Sequence, residues 1–543
     1  MVANYLFAPS VLTLYMPYQF KKLMSIRDLN SKISLKLVFI LYIVTTLVGV
    51  SSHVLWRDEM QGWLVAVGSS NVFELWNNNA PSGHPIVYPL LTFISSLIYE
   101  NPLSMQLMQW SLAAISVFIF LRRAPFSKFQ KLLFTFGYFP FWEYCLISRH
   151  YVVIQLLSFV GVIYASKRNY SLVCISFLIA LLLNTHALAW SIAIGFFITI
   201  ADDFLYQRLR KGEREFSSVD SLNCLASAIL LFIATWLSLN SLFQTSRSID
   251  SASIEVSLKS ILVAFGRYLG GNILIVPNSS RWLDLSVSAA VSVALMIAII
   301  FYIWPSRKAL LFYCSSTFCL LCFNAAVYSG AGSRHFGIYF IIVMASVWLC
   351  RSDLSASCSS SADNIKESYL VESKSRFSLF LSVILVIHFF AGIHRVSLDI
   401  VYPYSASKEV AAFIRNSEYA NWPLFGSRDV ELASVSGYLG KSIYYPEINR
   451  LGTFTEWVNR NSSLSRENSL DYIQEYMDSH PNINSLLVIL SNSSNLKHNF
   501  GRGDLKLSDN ISIEFVKSFL RSYNKPERYY IYKVARAIKV FSE

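Results

Sequence analysis

Eleven apolar runs, each long enough to cross the hydrocarbon core of a bilayer, punctuate this sequence at 35–53, 104–121, 130–147, 150–166, 170–185, 187–201, 224–241, 285–304, 309–329, 336–350 and 377–395. Segments of that kind satisfy their backbone polar groups internally, so the runs read as transmembrane α-helices. With 54% hydrophobic and only 15% charged residues among 543, the composition is that of a polytopic membrane protein. The stretch 85–99 is also apolar, but it is short, ends in Glu100 and Pro102 and lacks a basic flank, which places it along the membrane interface.

The formal net charge of +12 points to no nucleic-acid partner, because the basic residues lie in short clusters between apolar runs. With the N-terminus in the cytoplasm, the inner loops take RRAPFSKFQK, QRLRKGER, SRK and Arg351, Lys366, Lys374 and Arg376. The outer loops keep only scattered arginines and Lys259. An odd number of spans then carries the C-terminus outside. The chain divides into a cytoplasmic segment 1–34, a transmembrane region 35–395 and an extracytoplasmic domain 396–543. The transmembrane region includes a first outer loop at 54–103 and a Ser-rich, disordered cytoplasmic linker at 351–376. In the last part, helix-like SASKEVAAFIRN alternates with strand-like SLLVILS and RYYIYKV, the pattern of a small α/β domain. No cysteine follows Cys358, so disulfides do not hold that domain together. Cys319 and Cys322 sit inside an apolar run and read as packing residues.

The chemistry-bearing residues gather on the predicted outer face. Asp58 and Glu59 directly follow the first span; Ser148-Arg149-His150-Tyr151, Asn184-Thr185-His186 and Ser333-Arg334-His335 sit at outer ends of other spans, and His84 lies in the first outer loop. A single pair of interfacial carboxylates flanked by Trp56 and Trp63 is ordinary for a membrane belt, and one histidine at a helix end is usually a satisfied polar group. Several such clusters on one face describe a site. Arg149 and Arg334 carry planar forks suited to phosphate, and Asp58 or Glu59 suits proton abstraction from an attacking hydroxyl. His84, His150, Tyr151, His186 and His335 join the arginines as candidate substrate contacts. No metal-ligand spacing such as HExxH or paired CxxC occurs, so no cofactor is assigned, and a divalent ion on Asp58 or Glu59 stays open.

RDE in the first outer loop, the GHP that follows it, and the SRHY and SRHF segments give the sequence a resemblance to the GT-C superfamily of polyprenyl-phosphate-sugar-dependent glycosyltransferases. The similarity is greatest to its protein mannosyltransferase and aminoarabinose transferase branch and to bacterial relatives of that branch, and it covers roughly residues 35–350. The resemblance implies a GT-C-like fold of about eleven transmembrane helices, a polyprenyl-phosphate-sugar donor, and inversion at the anomeric carbon. It also implies an acceptor hydroxyl on a glycan, lipid or protein, and work at the outer face of a bacterial inner membrane among membrane lipids. Carried over by motif, Asp58 is the base and Glu59 its acidic neighbour. The protein mannosyltransferases show HPP where this chain has His84-Pro85-Ile86, which leaves the acceptor class open. The competing class, a lipid or glycolipid transporter or flippase, would hold its ionisable groups near mid-bilayer on paired broken helices, and no such pair is visible.

Overall fold

The computed structural model describes residues 32–167, 170–211, 218–246, 256–277, 281–327, 332–358, 364–456, 469–492, 505–508 and 511–536. The first part is helical: α1 (Leu35–Ser52), α2 (Arg57–Val67), α3 (Val72–Asn79), α4 (Val87–Ile98), α5 (Pro102–Arg123), α6 (Lys128–Thr135), α7 (Tyr151–Ala165), α8 (Leu172–Leu183), α9 (Ala189–Lys211), α10 (Ser218–Ser246), α11 (Leu258–Asn272), α12 (Trp282–Ile303), α13 (Arg307–Ala326), α14 (Ser333–Cys358) and α15 (Asn364–Val401). Among the described residues, α1, α5, α9, α10 and α12 to α15 supply eight helices long and apolar enough to cross a membrane, while α4, α7 and α8 are shorter apolar helices.

In α1 the buried positions Val38, Tyr42, Thr46 and Gly49 fall on one stripe. Leu37, Ile40, Leu41 and Val44 stay exposed, as lipid-facing side chains do. By contrast, α14 is mostly enclosed by the other helices, and it delivers Arg334 and His335 from its first turn.

The apolar run 130–147 does not form one helix. Pro140 lacks an amide hydrogen and its ring clashes with the carbonyl four residues earlier, so α6 stops at Thr135 and a π-helical turn spans Tyr138–Glu143. The irregular backbone is satisfied from inside: Tyr42 donates to the Pro140 carbonyl at 2.9 Å, and Gln109 donates to the carbonyls of Tyr144 and Ile147, each at 2.9 Å. The linker expected to be disordered is helical where it is described, in the ends of α14 and α15, and residues 359–363 lie outside the described set. Residues 1–31 of the predicted N-terminal segment also lie outside it.

The broken segment leaves room for α15, which passes it at Gly392, where an added Cβ would lie 2.3 Å from the Phe136 carbonyl oxygen and 2.8 Å from the Gly137 carbonyl carbon. Backbone cannot yield as a flexible side chain can. Gly392→Ala is therefore expected to destabilise by about 1–3 kcal/mol, read as a lower thermal midpoint in detergent; an unchanged midpoint would show that α15 shifts freely.

After α15 the chain forms α16 (Ser407–Arg415), β1 (Leu424–Ser427), α17 (Asp429–Leu439), β2 (Ile443–Tyr445), β3 (Arg450–Gly452), α18 (Ser469–Ser479), β4 (Ser485–Ser491), β5 (Leu505–Ser508), β6 (Ile511–Phe519) and β7 (Tyr529–Arg536). The described strands make one mixed sheet in the order β3-β2-β1-β4-β7-β6-β5. Strand β1 is parallel to β2 and β4, and β4 is antiparallel to β7. The unbroken apolar run of β4, SLLVILS, fits its place inside the sheet, with cores packed on both faces. In α16, Ser407, Val410, Ala411 and Ile414 supply the buried stripe that the amphipathic spacing of SASKEVAAFIRN predicts.

Candidate active site

Helix α2 begins where the chain leaves α1, and its first turn reads Arg57-Asp58-Glu59. Acidic residues suit the positive end of a helix dipole, and Glu59, three positions after Trp56, reaches back to accept from the Trp56 amide at 3.3 Å. The two adjacent carboxylates have different surroundings. That of Glu59 is fully buried, accepting from the Ser148 amide at 2.5 Å and from His53 Nε2 at 3.0 Å. His53 Nδ1 in turn lies 2.8 Å from Asp399 Oδ2, which also accepts from Trp142 Nε1 at 3.2 Å. Burial drives the His53 imidazole toward neutrality, yet Asp399 and Glu59 override it and hold His53 well above its ordinary value. Glu59-His53-Asp399 is thus a sealed, charged triad that ties α2 to the end of α15.

Asp58 faces a cavity of about 220 Å³ whose lining includes His84, Tyr88, Arg149, His150, Arg334 and His335. Arg334 Nη2 donates to Asp58 Oδ2 at 2.6 Å, while Arg149 Nη1 donates to the Asp58 backbone carbonyl at 2.7 Å. Arg57 Nε stands 3.5 Å from Oδ1. Burial works to raise the Asp58 carboxyl, but Arg149, Arg334 and Arg57 overcome it and hold it below the usual carboxylate range. The Arg334 guanidinium also lies 4.8 Å from the Trp56 ring centroid.

The four histidines expected on one face do meet. Ring centroids are 4.7 Å apart for His84–His150, 5.3 Å for His84–His186, 5.6 Å for His150–His186 and 6.3 Å for His186–His335. Tyr151 packs between His186 and His335, at 5.4 and 5.7 Å. Burial first, then the neighbouring positive groups, pushes His84 down to about 3 and His150 and His186 well below their ordinary value. These three imidazoles are neutral at physiological pH, so they can offer hydrogen bonds but no charge. Both ring nitrogens of His150 are buried without a hydrogen-bond partner.

All the predicted site residues fall in this one region, with Glu59 sealed beneath Asp58. Among the described residues no three His, Cys, Asp or Glu side chains converge to hold a metal ion, and nitrogen donors already engage both carboxylates. Asp202 and Asp203, set apart from the site on sequence grounds, pair with Arg307 at 2.5 Å and Lys308 at 2.9 Å, between α9 and the start of α13. Sequence reasoning missed Asp399 as the partner of His53, because 346 residues separate them; the available signal was an acidic residue at the end of an apolar helix. It also missed the C-terminal residues Val430 and Thr455, which line the cavity.

A bundle of this kind, with broken and short helices around a carboxylate-arginine pocket and a C-terminal sheet domain, has a GT-C-like fold. Among solved structures the chain is similar to ArnT from Cupriavidus metallidurans bound to undecaprenyl phosphate, with 10% identity and a TM-score of 0.50 over 92% of this chain and 97% of that one. The apo state of the same protein aligns at a TM-score of 0.48 and 10% identity over 91% and 97% of the two chains. No family model and no curated protein matches the sequence.

Proposed function

We propose that this protein is an inverting glycosyltransferase that moves a sugar from a polyprenyl-phosphate-linked donor to an acceptor hydroxyl at the outer face of the membrane. One observation carries the reading: of the two adjacent carboxylates lining the cavity only Asp58 is accessible, its side chain 23% exposed against 0% for Glu59, and three arginines hold it below the usual carboxylate range. The similarity in fold to a protein whose solved structure holds undecaprenyl phosphate supports the lipid-phosphate class of donor.

In this scheme the acceptor oxygen attacks the anomeric carbon, the bond from that carbon to the phosphate oxygen breaks, and polyprenyl phosphate leaves. The acceptor proton passes to Asp58, at Oδ1, the oxygen not held closely by Arg334. Arg149 and Arg334 each spend one close hydrogen bond on Asp58 and retain further N–H groups for the phosphate. The first turns of α2, α7 and α14 converge on the cavity, adding positive dipole ends where the phosphate charge develops. The neutral His84, His150 and His186, with Tyr151 and His335, suit sugar hydroxyls. Glu59 fixes the turn that presents Asp58.

Purified protein in nanodiscs, given a polyprenyl-phosphate sugar, should transfer the sugar and release polyprenyl phosphate. Failure with a broad donor and acceptor panel would reject the reading. Arg149→Ala and Arg334→Ala should each weaken donor binding about tenfold or more, with Lys rescuing only part because it lacks the fork. Unchanged donor affinity in both would return the arginines to a purely intramolecular role.

A further inference from the structure

The chain leaves β1 toward parallel β2 on one side and leaves the neighbouring parallel strand β4 toward the strands on the other, and open α/β sheets hold their ligands at the carboxyl ends of strands where connections diverge in this way. Here that place receives a segment of the same chain. Glu431, in the first turn of α17 just beyond β1, accepts from Arg57 Nη1 at 2.8 Å. Glu527, two residues before the β7 residue Tyr529 that pairs with the last residue of β4, accepts from the Arg57 amide at 3.0 Å. Tyr438 Oη accepts from the Leu55 amide at 2.8 Å. Gln61 and the Thr455 backbone exchange hydrogen bonds of 2.9 and 2.8 Å. Gly437 lies under Met60, since an added Cβ would meet its sulfur at 2.4 Å. The C-terminal domain therefore grips the turn that carries Asp58.

Within that grip one guanidinium stands between two carboxylates. Arg57 is 2.8 Å from Glu431 and 3.5 Å from Asp58. The side chain of Glu431 is 1% exposed and that of Asp58 23%, and the drier carboxylate has the stronger hold. We propose that Glu431 is a positioning residue that keeps Arg57 off Asp58, so that the C-terminal domain sets how strong a base Asp58 is. This deepens the glycosyl-transfer reading and rests on it for its link to turnover. The other charged and titratable groups around the cavity that Asp58 lines are Glu59 beside it, Arg149 from the segment before α7, Arg334 and His335 from α14, Tyr88 from α4, and His84 and His150. Glu431 itself also meets Arg428, at 3.3 Å.

Glu431→Gln keeps the shape and an acceptor oxygen but removes the charge, releasing Arg57 to pair closely with Asp58. In sugar-transfer assays, kcat should fall about three- to tenfold through weaker general-base catalysis, with donor KM held and the acid limb of the pH profile moved to lower pH. The double variant Arg57→Gln/Glu431→Gln has no guanidinium to release, so it should recover kcat relative to Glu431→Gln and move the acid limb back to higher pH. A double variant no more active than the single one, or an unmoved acid limb, would make Glu431 a peg for the fold and overturn the inference. Carbodiimide labelling of Asp58, followed by peptide mass spectrometry across pH, reads the same shift without turnover. If transfer is absent in the wild type but the labelling midpoint moves down in Glu431→Gln, the glycosyl-transfer reading fails and the control of Asp58 by Glu431 stands. An unmoved midpoint overturns that control.

Discussion

Asp58→Asn is expected to lose sugar transfer by about 10²- to 10⁴-fold while retaining the fold and binding of the lipid-linked donor. Asn keeps the shape and can still accept from Arg334, but it cannot take the acceptor proton. The same electrostatics set the pH dependence. Burial raises the Asp58 carboxyl, and Arg149, Arg334 and Arg57 more than reverse that, so the group stays ionised through the neutral range. The acid limb of kcat/KM should accordingly lie below about 4, the ordinary Asp value. A carboxylate that weak accepts its proton late, once bond formation to the anomeric carbon has made the acceptor hydroxyl acidic. Glu59→Gln tests the division of labour, since it keeps the capping geometry while removing a buried charge. It should lower expression or thermal stability more than it lowers turnover per folded molecule. Near wild-type transfer by Asp58→Asn, measured beside donor binding in the same nanodiscs, would reject Asp58 as the base.

The helical bundle was legible because hydrophobic runs long enough to cross a membrane carry their own signal, and α1, α5, α9, α10 and α12 to α15 fall on predicted runs. The segment 130–147 has the hydropathy of a span because hydropathy weighs Pro140 as one residue, whereas its missing donor and ring decide the backbone for several neighbours. Helix α11 escapes a hydropathy reading because Lys259, Arg267, Asn272 and three glycines lower its apolar density, even though Arg267 and Asn272 are buried. The site followed a similar division. Residue type and position at span ends brought Asp58, the two arginines and four histidines together. Which of Asp58 and Glu59 stays accessible depends on contacts made by Ser148, His53 and Asp399, from three separate places in the chain. The C-terminal grip on Arg57 likewise joins residues 374 and 470 positions away, and no local pattern announces such contacts.

Those distant contacts make the loss of His53 costly to the fold. Its side chain is fully enclosed and its two ring nitrogens serve Glu59 and Asp399, both of them buried. His53→Leu removes the cation and leaves two carboxylates in a dry site, and breaking a buried pair in that way costs about 3–5 kcal/mol. A loss of that size should lower the thermal midpoint of the detergent-purified protein by many degrees at pH 7.5. The pH dependence carries the sign of a raised histidine. Because the folded value lies well above the ordinary 6.5, the stabilisation is fully present below about pH 6.5 and is lost as the pH rises through the folded value. The gap between wild type and His53→Leu should therefore narrow at strongly alkaline pH. Adding Asp399→Asn to His53→Leu removes one of the stranded charges and should recover part of the midpoint, which a simple cavity left by the imidazole would not allow. Equal midpoints for wild type and His53→Leu at pH 7.5 would mean that the triad is not a charged anchor, and that the C-terminal domain, Ser148 and the two arginines suffice to hold α2 in place.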